Sequence, residues 1–386
     1  MQFKIDETYL IETTQKLVQI DSTNPSLSTD GAGETEIAIY VDGEMKKLGL
    51  DVKRREVAPG RENVVGVLKG SGGGRSLLLN AHLDTVGVEG MAEPFSGDLR
   101  DERIYGRGSQ DMKASIAAML AATKAIVDAD IQLAGDLLVT FVADEENLSI
   151  GMEALIEEYG ADAAIVTEPT EMQPCLAHRG FILFDVEIYG RAAHGSRYMD
   201  GVDANVRMGR FLVELEKLGK DVLAREPHPL AGPASLHAAL VQGGTELFTY
   251  ADKATATIEW RTIPGETVEG CQAELQLILD GLAEADSTFK GQVKATFWRY
   301  PFEIRRDAAI VQQLDAVLES RLGDAPVHIG QTFWTDAALL AEVGIDSVLL
   351  GPIGHGLHSA EEWVDVQSVI DLAYVLAETT IGFCGA

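Results

Sequence analysis

Four apolar runs in this chain end in residues able to bind a divalent cation. Leu77-Leu78-Leu79 leads to His82 and Asp84, and the run at 137–142 leads to Asp144-Glu145-Glu146. The run at 163–166 leads to Glu168, and the run at 347–350 leads to His355 and His358. Short apolar runs bounded by turn residues read as strands buried on both faces. Open α/β sheets bind ligands just beyond the carboxyl ends of their strands. These imidazoles and carboxylates are therefore expected at one edge of one sheet, as a nitrogen and oxygen donor set suited to Zn2+ or a similar metal.

Each residue also has a plain structural reading. His82 could bind metal while Asp84 orients its ring, but alone the pair is only a histidine at a loop. Asp111 follows Gly106-Arg107-Gly108-Ser109-Gln110 and opens an Ala-rich helix expected at 111–128. Capping accounts for it unaided, and a second oxygen remains for a ligand. Of adjacent Glu145 and Glu146, one could bind metal and the other move protons. His355 rivals His358 as a ligand, and His194 stands apart in Arg191-Ala192-Ala193-His194-Gly195-Ser196. Structural roles do not explain why five separated segments converge on two histidines and several carboxylates.

The elements that must position these residues follow from periodicity. Amphipathic helices are expected at 7–20 and 34–48, the second stopped by Gly49, and strands near 51–57, 63–68 and 76–81. From about 178 the order becomes strand, helix, strand, strand, helix, strand, which is the ferredoxin-like order. After that, helices and strands alternate again to the end. The expected fold is α/β: a catalytic, metal-binding domain of 1–177 and 298–386 with a mostly parallel central sheet, and an inserted α+β domain at 178–297.

The 386 residues suffice for two domains, and 46% hydrophobic content supports a large core. A formal net charge of -30 argues against nucleic acid and anionic membranes as partners. Three scattered cysteines imply neither a disulfide framework nor a thiolate metal site. The first seven residues are too polar for a signal peptide. No apolar run approaches a membrane span, so a cytoplasmic location is expected.

At this point the chain resembles a known family, the dinuclear zinc amidohydrolases that include acetylornithine deacetylase, succinyl-diaminopimelate desuccinylase, aminoacylase and glutamate carboxypeptidase. The resemblance rests on His82-Leu83-Asp84-Thr85-Val86, Gly106-Arg107-Gly108-Ser109-Gln110-Asp111-Met112-Lys113, Asp144-Glu145-Glu146 and Thr167-Glu168-Pro169. It extends through Ala193-His194-Gly195-Ser196, Arg261-Thr262-Ile263-Pro264-Gly265-Glu266, and His358 with Glu362. It implies two Zn2+ per subunit, with Co2+ or Mn2+ as substitutes. Asp111 would bridge them, His82 and Glu168 completing one site and Glu146 and His358 the other. Glu145 would be the general base for water held between the metals, and Asp84 would orient His82. The inserted domain would be a lid and dimerisation domain. His194 would reach the partner subunit's active site and steady the oxyanion, and Arg261 would bind a substrate carboxylate. The peptide bond after Asp111 would be cis.

The implied activity is hydrolysis of an amide in an N-acyl amino acid. The alternatives are a dipeptidase or carboxypeptidase of the same family, and an inactive binding protein that keeps the fold. One departure concerns the substrate: Phe248 stands where many members carry asparagine, which removes a polar contact.

Overall fold

The computed structural model describes residues 3–386, which form two compact units. The first comprises everything up to Leu176 together with 304–329 and 335–386; the second comprises 177–303 and 330–334.

The first unit is built on a sheet in the order 51–58, 61–68, 137–142, 77–82, 163–166, 346–349, with Cys175 pairing beyond it to Leu349. The expected mostly parallel sheet is mixed. Its central strands, 137–142, 77–82, 163–166 and 346–349, are parallel. The strands 51–58 and 61–68 form a hairpin over a two-residue turn and so run antiparallel, and 61–68 is antiparallel to 137–142. The strands 77–82, 137–142 and 163–166 are buried along their whole length, as continuous Leu, Val and Ala runs require.

The parallel strands also end nearly level. His82 pairs with Val142, and Val166 with both Asn80 and Leu349. The segments that follow them therefore emerge at one edge. There the chain passes so closely that a Cβ on Gly351 would lie 2.1 Å from the Glu168 carbonyl oxygen, an approach open only to glycine.

Helices cover this sheet. Glu7–Val18 is capped by Asp6, which accepts from the Tyr9 N–H, and buries Leu10, Leu17 and Val18. Ala114–Asp128 packs against it and against Val366–Cys384; most of its alanines are buried, so three helices approach closely. This helix begins at Ala114, and Asp111 does not cap it. Residues 109–113 form a separate turn in which Asp111 is extended (φ -119°, ψ 91°), and the Asp111–Met112 peptide is cis. The physical reason is a partner from elsewhere in the unit: the N–H groups of Gln110 and Asp111 donate to Glu362 Oε1.

The second unit has an antiparallel sheet in the order 235–243, 253–262, 180–189, 290–299, with helices Ala204–Leu223 and Val268–Ala285. Along 180–189 every second residue, Ile182, Phe184, Val186 and Ile188, enters a core shared with Phe211, Leu215, Leu275 and Leu279. The period of two is the reason this segment is a strand with one covered face. The first of these helices is capped by Asp203, whose side chain accepts the N–H groups of Asn205 and Val206. Among the described residues, no helix is long and apolar enough to cross a membrane.

Candidate metal centre

Asp111 occupies the middle of a buried acidic cluster at the carboxyl edge of the first unit's sheet. Its Oδ1 is 3.0 Å from His82 Nε2 and its Oδ2 is 3.5 Å from His358 Nε2. His358 Nε2 also lies 3.2 Å from Glu146 Oε2. Ligand atoms of His82, Asp111 and Glu146 lie within 4.8 Å of one another, as do those of His82, Glu145 and Glu168. His82, Asp84, Asp111, Glu145, Glu146, Glu168 and His358 are thus gathered in one unit. His355 pairs with Trp363 and stacks on it, ring centres 5.9 Å apart.

The supports are specific. His82 closes its strand, and its Nδ1 lies 2.9 Å from the backbone carbonyl of Asp84, against 3.7 Å to that residue's carboxylate. A ring nitrogen facing a carbonyl carries the proton, which leaves Nε2 as the ligand nitrogen. The Asp84 carboxylate is engaged elsewhere: it accepts the N–H groups of Glu145 at 3.1 Å and Glu146 at 3.2 Å. A second clamp is Glu362. It accepts Arg107 Nη1 at 2.6 Å and the N–H groups of Gly108, Gln110 and Asp111 at 3.0–3.2 Å. It stands four residues after His358, so one carboxylate ties the loop of His358 to the turn of Asp111. A small antiparallel sheet, Trp363 with Tyr105 and Val364 with Ile104, joins the same two segments.

Electrostatics reflect the crowding. Burial and then the charge of Glu168 push Glu145 well above the usual carboxylate range. Burial is likewise the main cause that raises Glu168 and Glu146. Burial opposes the charged form of His82, but the Asp111 hydrogen bond and nearby carboxylates outweigh it and raise its pKa well above the ordinary value. Asp111, then Glu146, raise His358 to about 10. Asp111 is held below its ordinary value: burial acts against this, and the two imidazoles overcome it.

Such a set of like charges, crowded together and largely withdrawn from solvent, fits a bound cation. Glu146 Oε1 is buried with no hydrogen-bond partner, a costly state unless something positive completes it. Two imidazole nitrogens among carboxylate oxygens match the donors of Zn2+, Co2+ or Mn2+.

The other two residues singled out in the sequence belong to the second unit. His194 is exposed; its Nδ1 accepts the Ser196 N–H at 3.2 Å and lies 2.8 Å from Ser196 Oγ. Gly195 N–H donates to the carbonyl of Phe248 at 2.7 Å, so Phe248, 76% exposed, is a neighbour of His194. Arg261 pairs with Glu259 at 2.6 Å and lies over the ring of Phe181.

Sequence reasoning passed over Arg107 and Asn24, which hold Glu362 and Asp84 respectively. The Gly-Arg-Gly setting of Arg107 was a usable signal. Asn24 lies 60 positions from Asp84 and had none.

The sequence of peptidase family M20/M25/M40 matches residues 78–381. An acetylornithine deacetylase from Myxococcus xanthus is 30% identical over 357 residues, covering 90% of this chain and 91% of that protein. An N-formyl-4-amino-5-aminomethyl-2-methylpyrimidine deformylase from Bacillus subtilis is 26% identical over 97% of this chain and 96% of its own length. The fold is shared with an aminopeptidase from Bacillus cereus at a TM-score of 0.78 and 19% identity, covering 97% and 98% of the two chains.

Proposed function

The chain belongs to peptidase family M20/M25/M40 and is a metal-dependent amide hydrolase; from that premise we propose that it removes the acyl group from an N-acyl amino acid. The observation that carries the reading is Asp111, which turns one oxygen toward each of two imidazoles beside a half-buried glutamate pair. His82, Asp111 and Glu168 would hold one metal ion, and Asp111, Glu146 and His358 a second. When bound, two Zn2+ ions, or Co2+ or Mn2+ in their place, supply a Lewis-acid field that acidifies water and polarises an amide carbonyl.

Glu145 takes the proton from the attacking water and returns it to the departing amine. Asp84 fixes the backbone from which Glu145 projects. The ferredoxin-like unit acts as lid and dimerisation domain. Arg261 binds the substrate carboxylate, and His194, acting across a homodimer, steadies charge on the carbonyl oxygen. Three buried cysteines, far apart in the sequence, suit a reducing cytoplasm.

Two relatives named for loss of an acetyl or a formyl group from nitrogen favour deacylation over peptide cleavage. A panel of N-acetyl and N-formyl amino acids and of dipeptides, each assayed with Zn2+, Co2+ and Mn2+, tests this. Turnover of N-acyl amino acids is expected. Turnover of dipeptides alone would replace the reading with a dipeptidase, and turnover of none of them would end it.

A further inference from the structure

Residues from the first 61 positions, ahead of the stretch the family match covers, hold the acidic loop at 144–146 from behind. Buried Arg61 makes a two-point ion pair with buried Glu34, Nε to Oε2 at 2.5 Å and Nη2 to Oε1 at 2.6 Å. The same Nη2 donates to Asp144 Oδ1 at 2.9 Å, and Glu34 Oε1 accepts the Asp144 N–H at 3.2 Å. Asn24 then joins two carboxylates: its Nδ2 donates to Asp144 Oδ1 at 3.0 Å and to Asp84 Oδ2 at 2.7 Å. Asn24 is itself anchored. Its N–H donates to the carbonyl of Thr85 at 2.8 Å, and its Oδ1 accepts the Ser26 N–H at 2.9 Å. Asp84 in turn holds the N–H groups of Glu145 and Glu146.

The arrangement is demanding. Asp144 has a φ of 68°, a left-handed conformation uncommon outside glycine, and the Arg61–Glu34 pair grips both its side chain and its N–H. Two buried carboxylates, Glu34 and Asp144, share one guanidinium, and the Asn24 amide stands between Asp144 and a third, Asp84. Without it, two like charges would face each other out of water.

We propose that Asn24, Glu34 and Arg61 are positioning residues that set the orientation of the 144–146 loop, and with it where Glu145 and Glu146 stand relative to His82 and Asp111. The inference rests on the reading of Glu145 as base and Glu146 as ligand. Lysine cannot replace Arg61, because a point charge cannot reproduce a planar fork that serves Glu34 and Asp144 together.

The test uses full-length Asn24→Ala and Arg61→Lys. Each is stripped of metal and titrated with Co2+ while the visible absorption is followed. Steady-state kinetics on the best substrate of the wild type and a thermal melt are recorded alongside. A folded Asn24→Ala should lose about 10- to 100-fold in kcat with little change in KM, bind the weaker Co2+ equivalent less tightly by a similar factor, and show a shifted cobalt band. Arg61→Lys should do the same; if it fails to fold, Asn24→Ala decides. A folded Asn24→Ala with wild-type kcat and an unchanged cobalt band overturns the proposal, even if it melts earlier, because the network would then be structural only. If the wild type turns over no N-acyl amino acid, the deacylase reading falls, and the cobalt comparison still decides this one.

Discussion

Glu145 and His358 have roles that a single substitution can separate. Glu145 is the half-buried base candidate; Gln has the same shape and cannot shuttle a proton. Glu145→Gln should keep the fold and both metal equivalents yet lose about 100- to 10,000-fold in kcat. His358→Ala should show the reverse order of causes: metal content falls first, and activity follows. Elemental analysis beside kinetics checks both, and a metal-replete Glu145→Gln with wild-type turnover would refute the assignment. At this scale the sequence was informative because the residues that could bind metal are chemically unusual at strand ends. Residue type alone left His355 a rival of His358 in one glycine-rich loop, and the family resemblance, with Glu362 four residues on, favoured His358. The structure separates them by pairing and stacking His355 on Trp363 and turning His358, at a φ of 57°, toward Asp111 and Glu146.

Two loops carrying metal-ligand candidates share one support, Glu362. Its carboxylate meets Arg107 and three backbone N–H groups of the Asp111 turn. Breaking a buried, hydrogen-bonded ion pair costs about 3 kcal/mol or more. Glu362→Gln keeps the size but loses the charge that Arg107 faces, so it should lower the melting temperature and the metal content together. A variant with wild-type melting and full metal content would show that the loops are held some other way. Strands and helices were legible from their periods, which depend on neighbours along the chain. The start of the helix at Ala114 was not. Asp111 reads as a cap by its type and position, whereas the turn is shaped by Glu362, 251 positions away. The antiparallel flank of the large sheet was hidden for a similar reason, since a buried apolar run looks the same in either direction.

The whole molecule is expected to work as a homodimer with His194 acting in trans. Mixing His194→Ala chains with Glu145→Gln chains, each inactive alone, should restore partial activity, because one site of a heterodimer then has both groups intact. Mass spectrometry must first show subunit exchange; heterodimers with no recovered activity would place His194 outside the partner's site. The return of 330–334 to the second unit carried no signal in composition. The large sheet has one further consequence. Strand 346–349 lies between 163–166 and Cys175, yet the ribosome delivers it long after both. At about 5–20 residues per second, roughly 10–35 s separate Cys175 from Leu349. During that interval the nascent chain holds 163–166 with one bare, apolar edge, while the whole of the second unit is made. Chains arrested before residue 346 should therefore shield 180–299 from protease and leave 163–166 open to it. Equal protection of both stretches would mean that another segment fills the gap first. Until Leu349 is in place, this protein is an aggregation risk that a chaperone would have to cover.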